Sequence, residues 1–274
     1  MFSHAASVAL GASLAYLSPF MIQYLEPSLQ YLLPTIKPAA EWSCSPNNYT
    51  TQLVSLDPLL IYIHNLVSPE EARRITHAGH AGLAPSPVTG YGGDTASQAR
   101  TSWSAPLPGD DAAVQCVLAR AEAFLGAALA PGRDDMGAAQ MVHYAAGQRF
   151  DAHHDWFRQP RLLDGDGGRL RLYNRAATFF VVLAANCTGG ETYFPLASPA
   201  APQDRAAPAA DGVWRAHEDG GLAFRPIPGN AVFWVNLLPN GTGDARTLHA
   251  GLPVGEGTKT AMNIWPRTFF GPEA

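Results

Sequence analysis

The chain has 274 residues, 47% of them hydrophobic, a formal net charge of -5 and a pI near 6.0. That size supports one domain of about 200 residues with an appendage, and the acidic balance excludes a nucleic-acid binder that works by neutralising phosphates. The 26 Gly and 23 Pro indicate a turn-rich, mainly β chain, and Cys44, Cys116 and Cys187 allow at most one bridge and no disulfide scaffold.

From Met1 to Leu25 no side chain is charged apart from the imidazole of His4, and "AASVALGASLAYLSPFMIQYL" has the length of a membrane-spanning helix. Residues 1–35 are therefore expected to be a signal anchor. A cleaved signal peptide or an amphipathic surface helix are the alternatives, because the run lacks a basic start and is interrupted by Pro19. Residues 36–55, rich in Pro, Ser and Asn, read as a linker to a folded domain over 56–270. Asn48-Tyr49-Thr50, Asn186-Cys187-Thr188 and Asn240-Gly241-Thr242 fit the glycosylation acceptor pattern. The expected location is the endoplasmic reticulum or another secretory-pathway membrane, through association of the N-terminal segment.

"LLIYIHNL", Leu59 to Leu66, has the length and apolarity of a strand, and Ser68-Pro69-Glu70-Glu71 then opens a helix over about 69 to 80. His77 and His80 on that helix read as solvated surface residues. "APSPVTGYGGDTASQARTSW" has loop composition, and its length is that of a functional lid. In "DDAAVQCVLARAEAFLGAAL", Val114, Val117, Leu118, Ala121, Phe124 and Leu125 recur at helical spacing, with Asp110 or Asp111 near the start. After Gly132 the pattern changes to strands: "AAQMVHYAA", then "ATFFVVLAAN", apolar enough to be buried on both faces, then "GLAFRPIP", "NAVFWVNLL" and "TAMNIWPRTFF". An Ala/Pro-rich stretch between Ala197 and Gly220 is expected to be a surface excursion, and His217 within it a poor ligand. Short strands preceded by helices suggest an α+β, mainly β chain: a double-stranded β-helix, or jelly roll, with a core over about 137–270 and supporting helices on one side.

Within "QRFDAHHDWF", Gln148 to Phe157, His153 and Asp155 would lie on one side of an extended chain and His154 on the other. Alone this is either a solvated strand end or half of a metal site. A jelly roll brings distant strands to one mouth, and "DARTLHAGLPVGEGTKTAMNIW" offers His249, with Lys259 opening an apolar strand ten residues on. Two histidines and a carboxylate form a facial triad that leaves positions open on Fe(II). A lysine on an apolar strand calls for an anion.

On these residues the chain resembles the prolyl 4-hydroxylase type of Fe(II)- and 2-oxoglutarate-dependent dioxygenase. Tyr144, Gly147, Phe150, His153 and Asp155 fit the family's first block, "GGETYFP" from Gly189 to Pro195 its second, and His249, Gly251, Pro253-Val254, Gly257, Lys259 and Trp265 its third. The resemblance implies iron held by His153, Asp155 and His249. It pairs Lys259 with the distal carboxylate of 2-oxoglutarate, helped by the hydroxyls of Tyr144 and Thr192, with Thr178 as a weaker candidate for that role. Arg175 and Trp265 are implied near the substrate. The implied cofactors are Fe(II), 2-oxoglutarate and O2, with L-ascorbate as an optional addition. The implied reaction is hydroxylation of an unactivated C-H, in a prolyl residue of a protein or peptide. Oxidation of a small metabolite by the same chemistry is the alternative, and a non-catalytic jelly-roll binding module is a further one that the complete triad and Lys259 disfavour. Two departures bear on specificity: Phe150 and Val182-Leu183 stand where the family often has Tyr and Tyr-Leu.

Overall fold

The computed structural model describes residues 42–44, 48–90, 93–95, 99–164, 170–200 and 212–271. The expected segment 1–35 lies outside these, as do residues 201–211 of the Ala/Pro-rich stretch. All described residues except Trp42 belong to one unit, Ser43–Ala274. No helix among the described residues is long and apolar enough to cross a membrane.

Helix α1, Pro69–His80, begins where the sequence predicts, and its start is a capping box: the Ser68 hydroxyl accepts from the Glu71 amide, and the Glu71 carboxylate accepts from the Ser68 amide. Glu71 is fully buried, and it also receives the Arg120 guanidinium at 2.8 Å from helix α2, Ala112–Leu125. Asp111 rather than Asp110 caps α2, accepting from the amides of Ala113 and Val114. The α2 stripe buries Val114, Val117 and Ala121, and Phe124 meets Phe179 and Phe233 edge-on at 5.4 and 5.1 Å. The helices therefore cover one face of a sheet, as expected of supporting helices.

That sheet has eight antiparallel strands in the order Thr50–Leu56, Leu59–His64, Ala231–Val235, Ala177–Ala185, Thr258–Ile264, Gln140–Ala145, Trp103–Pro106 and Ala84–Pro85. A second sheet runs Trp214–Ala216, Leu222–Phe224, Thr192–Phe194, His249–Gly251 and Phe150–His153. Between them lies a core in which Leu60, Tyr62, Phe194, Phe224 and Trp234 are buried. This is the jelly roll the strand pattern predicts. The strand Ala177–Ala185 is apolar except for Thr178 because both of its faces are covered: Phe179 packs toward α2, while Thr178 and Phe180 point to the other side, where the site lies.

Two boundaries differ from the sequence reading. The first strand begins at Thr50, inside the stretch expected to be linker, because a pairing partner in Leu59–His64 outweighs the turn-like composition just before it. "TAMNIWPRTFF" is two strands, Thr258–Ile264 and Arg267–Phe270, in different sheets; Pro266 has no amide to donate to a ladder and breaks the run.

Cys44 and Cys116 form a disulfide across 72 residues, tying the segment before the first strand to α2. Closing a loop of that length constrains the unfolded chain by about 4 kcal/mol. A Cys44→Ser chain is expected to lose stability on that order, read from the urea midpoint under non-reducing conditions.

Candidate functional site

His153 is the last residue of its strand, and the chain then bends, so Asp155 reaches the same side through the bend rather than through strand alternation. His249 arrives from the neighbouring strand, directly opposite His153 in register. The result is a cluster in which Asp155 Oδ1 lies 3.7 Å from His153 Nε2 and Asp155 Oδ2 lies 3.8 Å from His249 Nε2. His154 does not converge with them: its Nε2 meets the Ala245 carbonyl at 3.1 Å.

Each imidazole is oriented from behind. His153 Nδ1 donates to the Asp151 carbonyl at 2.8 Å, and His249 Nδ1 donates to the Thr247 carbonyl at 2.9 Å. A carbonyl can only accept, so both protons sit on Nδ1 and both Nε2 lone pairs point into the cluster. Burial lowers the pKa of both rings, so they are neutral donors at physiological pH. Burial alone would raise Asp155, but His249, His153, Arg175 and the Trp265 N–H outweigh it and keep the carboxylate ionised. Two neutral imidazoles and one carboxylate, with lone pairs converging, are the donor set of a divalent metal site, and they suit Fe(II).

Asp155 is held by side chains to which the sequence reading gave other roles or none. Its Oδ2 accepts from the Thr178 hydroxyl at 2.8 Å and from the Trp265 indole N–H at 3.1 Å, and Thr178 in turn accepts from Asn236 Nδ2 at 2.8 Å. Thr178 thus positions the metal-facing carboxylate and is not available to a co-substrate carboxylate. Its alternation with Phe180 puts it on the site face, but only the fold shows which acid it meets. Asn236 was missed; an Asn inside the apolar run "AVFWVNLL" was the available signal, since a buried amide needs partners. Thr178→Val is expected to leave the fold intact and weaken Fe(II) binding about 10- to 100-fold, measured by anaerobic titration.

The cluster opens on a cavity of about 610 Å³ that Tyr144, Phe150, Phe180, Thr192, Arg175 and Trp265 help to line. Phe150 stacks on His153 with ring centroids 3.5 Å apart, so the residue that departs from the family pattern packs against a ligand ring. Trp156 forms part of the wall. Its N–H donates to the Asp244 carbonyl, and its ring presses so closely on Gly243 that a Cβ there would lie 2.1 Å from it.

Lys259 stands directly opposite Tyr144 in register and is buried at 1% exposure. Its ammonium donates to the Gly190 carbonyl at 2.7 Å and lies 4.7 Å from the Tyr144 ring centroid. Gly190 has a positive φ of 70°, and a Cβ there would come within 3.1 Å of Val254, so "GGETYFP" needs glycine at the turn that offers this carbonyl. Burial pulls the Lys259 pKa down to about 8, and Cys187 and Glu191 only partly offset it. One carbonyl is a poor return for a buried ammonium, and a carboxylate entering from the cavity would supply the missing charge.

Arg175 also sits at the cavity. Its guanidinium lies 3.5 Å from the Trp265 ring and donates to the Asp155 backbone carbonyl at 3.3 Å. Arg100, in the stretch expected to be a lid, was missed as a site residue: it lines the cavity and lies 4.6 Å from the Phe150 ring centroid. Ala99 and Thr101 beside it hydrogen-bond the backbone of Asp151 and Arg149, so this end of the stretch is laced to the His153 strand. His77 and His80 lie away from the cluster on α1, and His80 is exposed. His217 forms a small group with Glu218 and Asp219, both exposed, and its Nδ1 accepts from the Asp219 amide.

The profile of the 2OG-Fe(II) oxygenase superfamily matches residues 139–267. Probable prolyl 4-hydroxylase 6 of Arabidopsis thaliana is 34% identical over 149 residues, which are 54% of this chain and 48% of that protein, so the match spans about half of the relative's length. Prolyl 4-hydroxylase 13 of the same plant is 27% identical over 81% of this chain and 76% of its own. Among solved structures, the viral collagen prolyl hydroxylase of Paramecium Bursaria Chlorella virus-1, in its 2OG complex, superposes with a TM-score of 0.52 at 22% identity. It covers 83% of this chain and 99% of that one, a likeness of fold.

Proposed function

We propose that the chain is a 2OG-Fe(II) oxygenase of the prolyl 4-hydroxylase type, one that hydroxylates a prolyl residue of a protein or peptide. The observation that carries this reading is the pairing of a metal-binding cluster, His153, Asp155 and His249, with a buried ammonium, Lys259, whose neighbours Tyr144 and Phe180 line the same cavity.

Fe(II), 2-oxoglutarate and O2 are the cofactors of this family, and together they supply the oxidising power for C–H hydroxylation as the keto acid becomes succinate and CO2. In our reading His153, Asp155 and His249 would hold the metal where the cluster opens on the cavity. Lys259 would neutralise the distal carboxylate of 2-oxoglutarate, with the hydroxyls of Tyr144 and Thr192, both in the cavity lining, as candidate partners for the same end. Phe150, Phe180 and Trp156 give the cavity apolar walls that limit water. Arg175, braced on Trp265, orients the substrate. L-ascorbate fits as an accessory reductant.

The relatives named above support prolyl chemistry over the oxidation of a small metabolite. The test is incubation of the full chain with Fe(II), 2-oxoglutarate and proline-rich peptides, with hydroxyproline identified by mass spectrometry and succinate quantified. Succinate formed without hydroxyproline in any peptide would refute the prolyl reading. We further propose an oxidising, secretory-pathway location, supported by the Cys44–Cys116 disulfide. Fractionation of cells expressing the full chain tests it, and recovery with the cytosolic fraction in reduced form would refute it.

A further inference from the structure

The cavity mouth is more basic than the chain that carries it. Four arginines, Arg100, Arg158, Arg161 and Arg175, line the cavity, and among the described residues the only carboxylate in its lining is Asp155, whose oxygens are engaged by His153, His249, Thr178 and Trp265. A net charge of -5 gives no such excess over the rest of the surface.

The arginines are placed by the fold. Asn174 is buried and clamps the Phe157 backbone from both sides, accepting from its amide at 2.8 Å and donating to its carbonyl at 2.9 Å. The Phe157 ring then braces Arg161 at 4.2 Å and Arg175 at 4.9 Å, while Arg158 follows directly in the chain. Arg100 lies over Phe150 on the other side of the metal-facing residues. Like charges held this close repel: burial draws Arg175 down to about 10, and Arg161 and Arg100 add to that. Arg158 and Arg161 are exposed, and Arg100 and Arg175 half-buried, so positive charge extends from the metal cluster outward. Lys259 is set apart from this path, against Gly190, Tyr144 and Phe180.

Planar guanidinium groups backed by aromatic rings are suited to carboxylates, and an aromatic-lined groove suits an extended proline-containing chain. We propose that the mouth selects peptides in which the reacting proline is flanked by aspartate or glutamate side chains, with Arg158 and Arg161 as the outer specificity residues. This inference rests on the prolyl hydroxylase reading for the reaction, but not for the binding it predicts.

The experiment uses fluorescently labelled proline-rich peptides of equal length that carry Glu, Gln or Lys at the flanking positions, with binding to the full chain followed by anisotropy. The Glu peptide is expected to bind about 10-fold more tightly than the Gln peptide, an advantage that shrinks as salt is added. In an Arg158→Glu/Arg161→Glu chain the order should invert to favour the Lys peptide, a result that loss of structure would not produce. Equal binding of the Glu and Gln peptides, an unchanged order in the double variant, or displacement of the Glu peptide by 2-oxoglutarate alone would each overturn the proposal. Mass spectrometry of the same peptides separates the two readings. Hydroxyproline formed equally well in the Gln peptide removes the acidic preference and leaves the hydroxylase. A tightly bound Glu peptide without hydroxyproline removes the hydroxylase and leaves an acid-selective mouth.

Discussion

Asp155→Asn is expected to fold like the parent chain and to release succinate and hydroxyproline only at background. The carboxylate has two separate duties. Oδ2 receives the Thr178 hydroxyl and the Trp265 indole, while Oδ1 faces His153. An asparagine can satisfy Thr178 and Trp265 with its carbonyl oxygen, so the surroundings keep their partners. Its amide nitrogen then faces the cluster and has no lone pair to give a metal. Fe(II) titration under nitrogen should show binding lost together with turnover, and circular dichroism should be unchanged. His153→Ala is expected to behave alike, because His249 and Asp155 alone give two donors. Turnover at the parent rate in either variant would refute the metal assignment.

The second large effect concerns Lys259. Lys259→Met keeps most of the stem that packs near Tyr144 and Phe180 and removes the charge. Truncating one partner of a buried charge pair costs about 2–5 kcal/mol, so the 2-oxoglutarate requirement should rise by roughly 30-fold or more, with a much smaller change in the rate at saturating co-substrate. The pH dependence has a defined sign. An ordinary lysine titrates near 10.5, and burial brings Lys259 to about 8. Only the protonated form attracts a carboxylate. Affinity for 2-oxoglutarate should therefore be level below pH 8 and weaken above it, and the Met variant should lose that dependence. For stability the sign is opposite: the folded chain binds fewer protons than the unfolded one between pH 8 and 10.5, so this residue's penalty is present in full below 8 and is relieved as pH rises through that window. A KM that is flat with pH from 7 to 10 in the parent chain would refute the pairing.

The jelly roll was legible because the strands carry their pattern locally: "LLIYIHNL", "ATFFVVLAAN" and "TAMNIW" are apolar at strand length. The three metal-facing residues were legible because His153 and Asp155 are neighbours and His249 and Lys259 lie in a compact second motif. What the sequence did not show is which polar side chain on one strand meets which on another. Thr178 was a weaker candidate for the co-substrate and Trp265 was placed near the substrate; Trp265 does line the cavity, but that both also donate to Asp155 was not visible. Asn236, Asn174 and Arg100 went unassigned, since their partners lie 58, 17 and 50 residues away respectively, at Thr178, Phe157 and Phe150, and no periodicity encodes such distances. The early start of the first strand was hidden for a related reason, since its pairing partner, not its composition, makes it a strand.

Asp151 faces in two directions. Its amide donates to the Ala99 carbonyl, and its own carbonyl receives the His153 Nδ1 proton. A single residue therefore joins the backbone next to Arg100, which lines the cavity, to the imidazole of His153. The residue that ties down the Ala99 backbone is therefore also the one that fixes which nitrogen of His153 faces the cluster.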